Sequence, residues 1–206
     1  QEVPLEGREE NVQSDGTACF ENLRFPSGSR NQVCEMTFRG QVSWKLAGKQ
    51  GTGVVACGGV KLVVATAELQ WATAISRWFV NTKLAGGQQS LSWTRFANEL
   101  QRLYLAVTRQ DPIKPLRPLS VHDLLYIRQF RLGYAGNVNA EQWEALWGWL
   151  GPILIMLRFS RLLLELWVRG YLCGFISKAG AEALLAGRES GTFLLRFSER
   201  STSQQF

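Results

Sequence analysis

Arg196 is the cation whose setting asks for chemistry. Thr192-Phe193-Leu194-Leu195-Arg196-Phe197-Ser198 reads as a strand. Period-two alternation puts Phe193, Leu195 and Phe197 on one face and Leu194, Arg196 and Ser198 on the other. A guanidinium in that company is a permanent charge among apolar side chains. Burying it unpaired costs several kcal/mol, so an anion must compensate. A carboxylate of the same chain is one such partner. A phosphate from outside is the other, because the guanidinium fork meets phosphate oxygens two at a time.

Other chemistries find little support. His122 and Asp123 are adjacent, and neighbours on a helix do not face each other. There is no Gly-x-Ser-x-Gly elbow and no paired-carboxylate cluster, so no enzyme active site and no cofactor are expected. Cys19, Cys34, Cys57 and Cys173 match no zinc spacing and have one histidine for company, so no metal centre is expected. They suggest buried, reduced thiols in an intracellular protein. Gly51-Thr52-Gly53 lacks the following Gly-Lys-Ser/Thr of a phosphate loop and reads as a turn.

The elements that must hold Arg196 follow from the patterning of 206 residues, 46% hydrophobic and 19% charged, which is ordinary globular composition. The formal charge of +6 permits an acidic partner without dictating one. The charged residues 1–14 read as a solvated linker. From there to about residue 85 the chain reads as short strands punctuated by glycine. Cys34, Met36 and Phe38 alternate with polar residues, as do Val42, Trp44 and Leu46, predicting one packed face each. Leu62-Val63-Val64 predicts a strand covered on both faces.

After Gly86-Gly87 the period becomes helical. Trp93, Phe96, Leu100, Leu103 and Val107 mark a helix capped by Ser92. Pro112, Pro115 and Pro118 mark a loop. Ser120 with Asp123 forms a capping box for a helix whose inner face is Val121, Leu124 and Leu125 and which Gly133 ends. Asn139 with Gln142 repeats the box before Trp143, Leu146, Trp147 and Leu150. Gly151-Pro152 predicts a break, with a new helix running to about Trp167. Arg158, Arg161, Glu165 and Arg169 interrupt Leu150–Cys173, so no membrane insertion is expected. Ser177 caps a short helix through Leu185, and Gly187 to Gly191 turns the chain into the Arg196 strand.

Gly174-Phe-Ile-Ser-Lys178, followed by Gly191-Thr-Phe-Leu-Leu-Arg-Phe-Ser198, resembles the opening of the Src-homology-2 domain of the signal transducer and activator of transcription (STAT) family. Trp147-Gly148-Trp149, Leu166-Trp167, and the stretches 93–108 and 119–133 resemble that family's helical linker. Phe20-Glu-Asn-Leu-Arg-Phe25, Lys61-Leu-Val-Val64 and Trp71-Ala-Thr73 resemble the second half of its β-rich DNA-binding domain. The implied fold class is a multi-domain fragment. A β-rich segment (1–85) precedes an all-α linker (86–169) and the truncated start of an α+β Src-homology-2 domain (170–206).

The resemblance implies that Arg196 grips phosphotyrosine and Lys178 adds a second cation. Ser198 and Glu199 would open the loop that wraps the phosphate; Arg200 replaces a small residue there. It implies DNA contact near Thr66 and Glu68, with Lys61, Lys45 and Lys49 supplying backbone charge. The implied partners are phosphotyrosine peptides of receptors or of a second subunit in a homo- or heterodimer, and double-stranded DNA. The implied location is cytoplasmic, moving to the nucleus on activation. The loop after Val64 looks shortened, which motivates an alternative: a phosphotyrosine-binding adaptor that has lost DNA binding. A third reading makes Arg196 an internal structural partner. Residues 174–206 are fewer than the ~50 of a small domain, so a fragment or truncated product with little phosphopeptide affinity of its own is expected.

Overall fold

The chain divides into two compact units after Thr82, each with both helix and strand. The computed structural model describes residues 10–15, 17–20, 23–30, 32–56, 58–84 and 89–199. Cys57, the Gly86-Gly87 break and Arg200 lie outside the described residues, as does most of the 1–14 stretch, of which 10–14 are exposed.

In the first unit β1 (Cys34–Met36) pairs antiparallel with β4 (Val60–Leu62), Cys34 opposite Leu62. The predicted alternation holds in β1, where Cys34 and Met36 are half-buried and Glu35 is exposed. β2 (Arg39–Leu46) and β3 (Lys49–Ala56) form a hairpin closed by Ala47 and Gly48, both at positive φ. Two such residues turn the chain with the twist the strands require. The hairpin corrects the one-packed-face expectation: Val42, Trp44 and Leu46 are all exposed, Leu46 by 75%. Among the described residues β2 and β3 pair only with each other, and alternation alone does not supply a second layer.

The expected strand Leu62-Val63-Val64 is also corrected. β4 ends at Leu62, and the chain is then tied down by the buried Ser29. Ser29 N–H donates to the Val64 carbonyl (3.0 Å), and Val64 N–H donates to Ser29 Oγ (3.1 Å). Residues 68–79 are a helix, α1 (Glu68–Phe79), where the sequence reading had strands. Trp71, Ala74, Ile75 and Trp78 recur at helical spacing, and Trp78 Nε1 donates to the Lys61 carbonyl at 2.9 Å. A π-helical turn, Val80–Leu84, follows.

The second unit holds the aromatic core. β5 (Ser90–Ser92) pairs with β6 (Asn137–Asn139), burying Leu91 against Val138 opposite. α2 (Trp93–Val107) buries Phe96, Leu100, Leu103 and Val107 as its spacing predicts. Ser92 does not cap it through its side chain; the Trp93 N–H instead reaches the Gly136 carbonyl at 2.9 Å. α3 (Val121–Tyr126) has the predicted Ser120–Asp123 capping box. Its inner face is not the expected one: Val121 and Leu125 are exposed, and Asp123, Tyr126 and Ile127 turn inward. Drawing Asp123 into the box rolls the short helix. A π-helical turn, Ile127–Arg131, follows and Gly133 sits at φ +56° just beyond it.

α4 (Ala140–Phe159) starts with the Asn139–Gln142 box and buries Trp143, Leu146, Trp147 and Leu150. It passes through Gly151-Pro152 without the expected break. Proline removes one donor, to the carbonyl four residues earlier, and Gly148 there is exposed to water. Gly151 suits the site because a Cβ would stand 2.9 Å from the Trp147 indole. The break comes at Ser160, whose hydroxyl caps α5 (Arg161–Val168). No described helix is long and apolar enough to cross a membrane. β7 (Leu172–Gly174), α6 (Lys178–Leu185) and β8 (Leu195–Arg196) complete the chain.

One buried network joins these helices. Trp167 Nε1 donates to the Tyr104 hydroxyl at 2.6 Å, and that hydroxyl donates to the Arg117 carbonyl at 2.6 Å. Burial pushes the Tyr104 phenol above its ordinary pKa, the hydrogen bonds from Trp167 and Gln110 opposing it less strongly. Near pH 10 the unfolded chain releases that proton while the folded chain keeps it. Stability is therefore full below about pH 10 and falls as pH rises through the folded-state value. Urea midpoints taken from pH 8 to pH 11 should fall, and Tyr104→Phe should flatten the decline. A variant with the parent's slope would refute this.

Candidate functional site

The site is built on an aromatic platform. Trp167, Phe175 and Phe197 pack with ring centroids 5.3–5.7 Å apart, and Trp149 and Tyr126 extend the cluster through Phe175. The Arg117 guanidinium lies 3.4 Å above the Trp167 ring and donates to the Trp167 and Leu172 carbonyls, the latter at 2.9 Å. It thereby pins the end of α5 to the start of β7. Gly174 sits at φ +91°, and a Cβ there would fall 2.5 Å from the Trp167 ring. Glycine is the residue this approach admits.

β7 positions Arg196. β8 runs parallel to it with Leu172 opposite Leu195 and Gly174 opposite Arg196, and Phe197 N–H donates to the Gly174 carbonyl at 3.2 Å. The predicted strand of seven residues is corrected to Leu195–Arg196. Phe193 and Leu195 are exposed, Phe197 is buried, and Arg196 is half-buried rather than sunk in a core. Its Nη1 donates to the Phe197 carbonyl at 3.2 Å. Among the described residues no carboxylate pairs with it.

Lys178 opens α6, whose cap is Ser177 accepting from Gly180 N–H. Its Nζ is 3.7 Å from Glu182 Oε1 one turn on, with both side chains mostly exposed. Such a pair contributes only ~0.3–0.5 kcal/mol, so a stronger anion can take the ammonium. Lys178 N–H donates to Glu199 Oε1 at 3.0 Å. Ser198 and Glu199 are held from below: Trp149 Nε1 donates to the Ser198 carbonyl (2.7 Å) and Arg131 Nη2 to the Glu199 carbonyl (2.6 Å). The structure thus ties Lys178 and Glu199 directly, and Arg196 leads into the same loop.

The residues placed for DNA do not form a comparable set. Lys61 is exposed in β4, with its carbonyl occupied by Trp78. Thr66 N–H donates to Gln70 Oε1 at 3.1 Å. Glu68 is the first residue of α1, correcting its assignment to a loop. The thiols are not uniformly buried as expected: Cys19 and Cys173 are exposed and Cys34 is half-buried.

Sequence reasoning missed Arg117, Arg131 and Trp149. Their partners lie 49 to 68 residues away, beyond any local pattern.

Residues 171–205 match the SH2 domain family, and residues 67–160 match a family described as EF-hand fold domain. The acids of 67–160 are scattered singly, without the acidic spacing of a twelve-residue calcium loop. The end of the chain is therefore SH2 sequence. Signal transducer and activator of transcription A of Dictyostelium discoideum is 31% identical over 182 residues, 88% of this chain and 25% of that protein. Signal transducer and activator of transcription B of the same organism is 28% identical over 186 residues, 88% of this chain and 16% of that protein. Signal transducer and activator of transcription 4 of Mus musculus is 47% identical over 53 residues, 26% of this chain and 7% of that protein. These similarities support a fragment of the signal transducer and activator of transcription family, a STAT-like signalling sequence. It spans a quarter or less of the length of these relatives.

Proposed function

We propose that this segment supplies the phosphotyrosine-gripping element of a STAT-like transcription factor. Arg196 and Lys178 bind the phosphoryl group, and the Ser198–Glu199 loop lies beside it. A phosphotyrosine carries about −1.5 to −2 charge, which two cations can match. Residues 1–85 are the end of a DNA-binding domain, 86–169 its linker and 170–206 the front of the SH2 domain. In the whole protein, each subunit's phosphotyrosine enters the other's SH2 domain, a reciprocal two-fold contact. The dimer then passes from cytoplasm to nucleus and binds double-stranded DNA. Receptor phosphotyrosines are the other partner class. No catalytic step is assigned.

The observation that carries this reading is Arg196: half-buried, held in register by β7, and without a carboxylate partner among the described residues. The testing experiment is calorimetric titration of the longest native chain that carries this segment. A tyrosine-phosphorylated peptide should bind and its unphosphorylated form should not; equal binding of both refutes the reading. Glu68, drawn into α1, favours the adaptor alternative. Phosphopeptide binding without salt-sensitive DNA binding would select it.

A further inference from the structure

We propose that Arg131 and Trp149 are positioning residues for the phosphotyrosine site, fixing the Ser198–Glu199 loop from the helical layer beneath. This rests on the function proposed above. Trp149 is buried, and its ring carries the Arg131 guanidinium at 3.9 Å. The two side chains therefore brace each other while each donates to one of two successive loop carbonyls. Glu199 passes the constraint to the first N–H of α6, the residue that bears Lys178. The loop follows β8, so the same bracing bounds the position of Arg196.

A purely packing role does not explain the choice of arginine. Arg131 has an Nε without a hydrogen-bond partner, and burial lowers its pKa, with nearby Tyr126 and Glu199 partly compensating. Desolvating a guanidinium is unfavourable, and an aliphatic side chain would fill the space without it. What the aliphatic chain could not do is hold the Glu199 carbonyl. Supporting groups of this kind set how well a first layer of ligands is preorganised.

The test uses Trp149→Phe, which keeps a ring and loses the N–H, and Arg131→Lys, which keeps the charge and loses the planar stack. Both are made in the longest native chain carrying the segment. Amide exchange at Lys178 should quicken roughly tenfold, and affinity for free phosphotyrosine should fall roughly tenfold, the size of one such hydrogen bond. Exchange in α2 should not change. Folded variants with Lys178 exchange and phosphotyrosine affinity within twofold of the parent overturn the inference. Should Arg131→Lys fail to fold, Trp149→Phe carries the test on the same readouts. Arg196→Lys separates the two levels. If it alone weakens binding, the site stands and the positioning role falls. If neither the parent nor any variant binds phosphotyrosine, both fall together.

Discussion

Arg196→Ala should lower phosphotyrosine affinity by about 3 kcal/mol, roughly a hundredfold, while leaving the fold intact. The size follows from removing one partner of a charge-assisted, two-toothed contact with a dianion. The fold should survive because Arg196 has no carboxylate partner among the described residues, so its removal strands no buried acid. Arg196→Lys should fall between, since an ammonium keeps the charge and loses the fork. Titration calorimetry beside a urea melt reads both quantities. A variant that melts early but binds as tightly as the parent would show Arg196 to be an internal structural group.

The second large effect is on stability. Trp167→Ala should destabilise the second unit by about 4 kcal/mol, within the range for emptying a buried tryptophan site. Trp167 is 0% exposed and packs against Phe175 and Phe197. Its removal also leaves Arg117 without a ring to lie on and takes away one of the two donors to the Tyr104 hydroxyl, Gln110 being the other. Domains have ~5–15 kcal/mol in total, so this change takes a large part. The urea midpoint should drop accordingly, and a loss under about 1 kcal/mol would contradict the packing described.

What was legible in the sequence was local. The Ser120–Asp123 and Asn139–Gln142 boxes formed because each needs four residues and nothing else. The helical stripes of α2 and α4 are likewise written in single segments. Readings failed where a neighbour distant in sequence decided the outcome. A local rule makes Pro152 a break, whereas exposure of Gly148 lets the helix continue. Alternation in β2 promised a buried face that needs a second layer. At the site, Lys178 and Arg196 could be picked out by type and motif. Arg131 and Trp149 could not, since their roles exist only once residues 131 and 149 meet 198 and 199.

The β2–β3 hairpin has a practical consequence for handling. Each strand leaves its outer edge without a strand partner among the described residues, and Val54 and Val55 add oily side chains to it. Such a ribbon invites a second chain to add alongside, and charges near its tip, Lys45 and Lys49, discourage that addition. Salt weakens this protection within a Debye length. Concentrated stocks will therefore stay clear longer in dilute buffer than in brine.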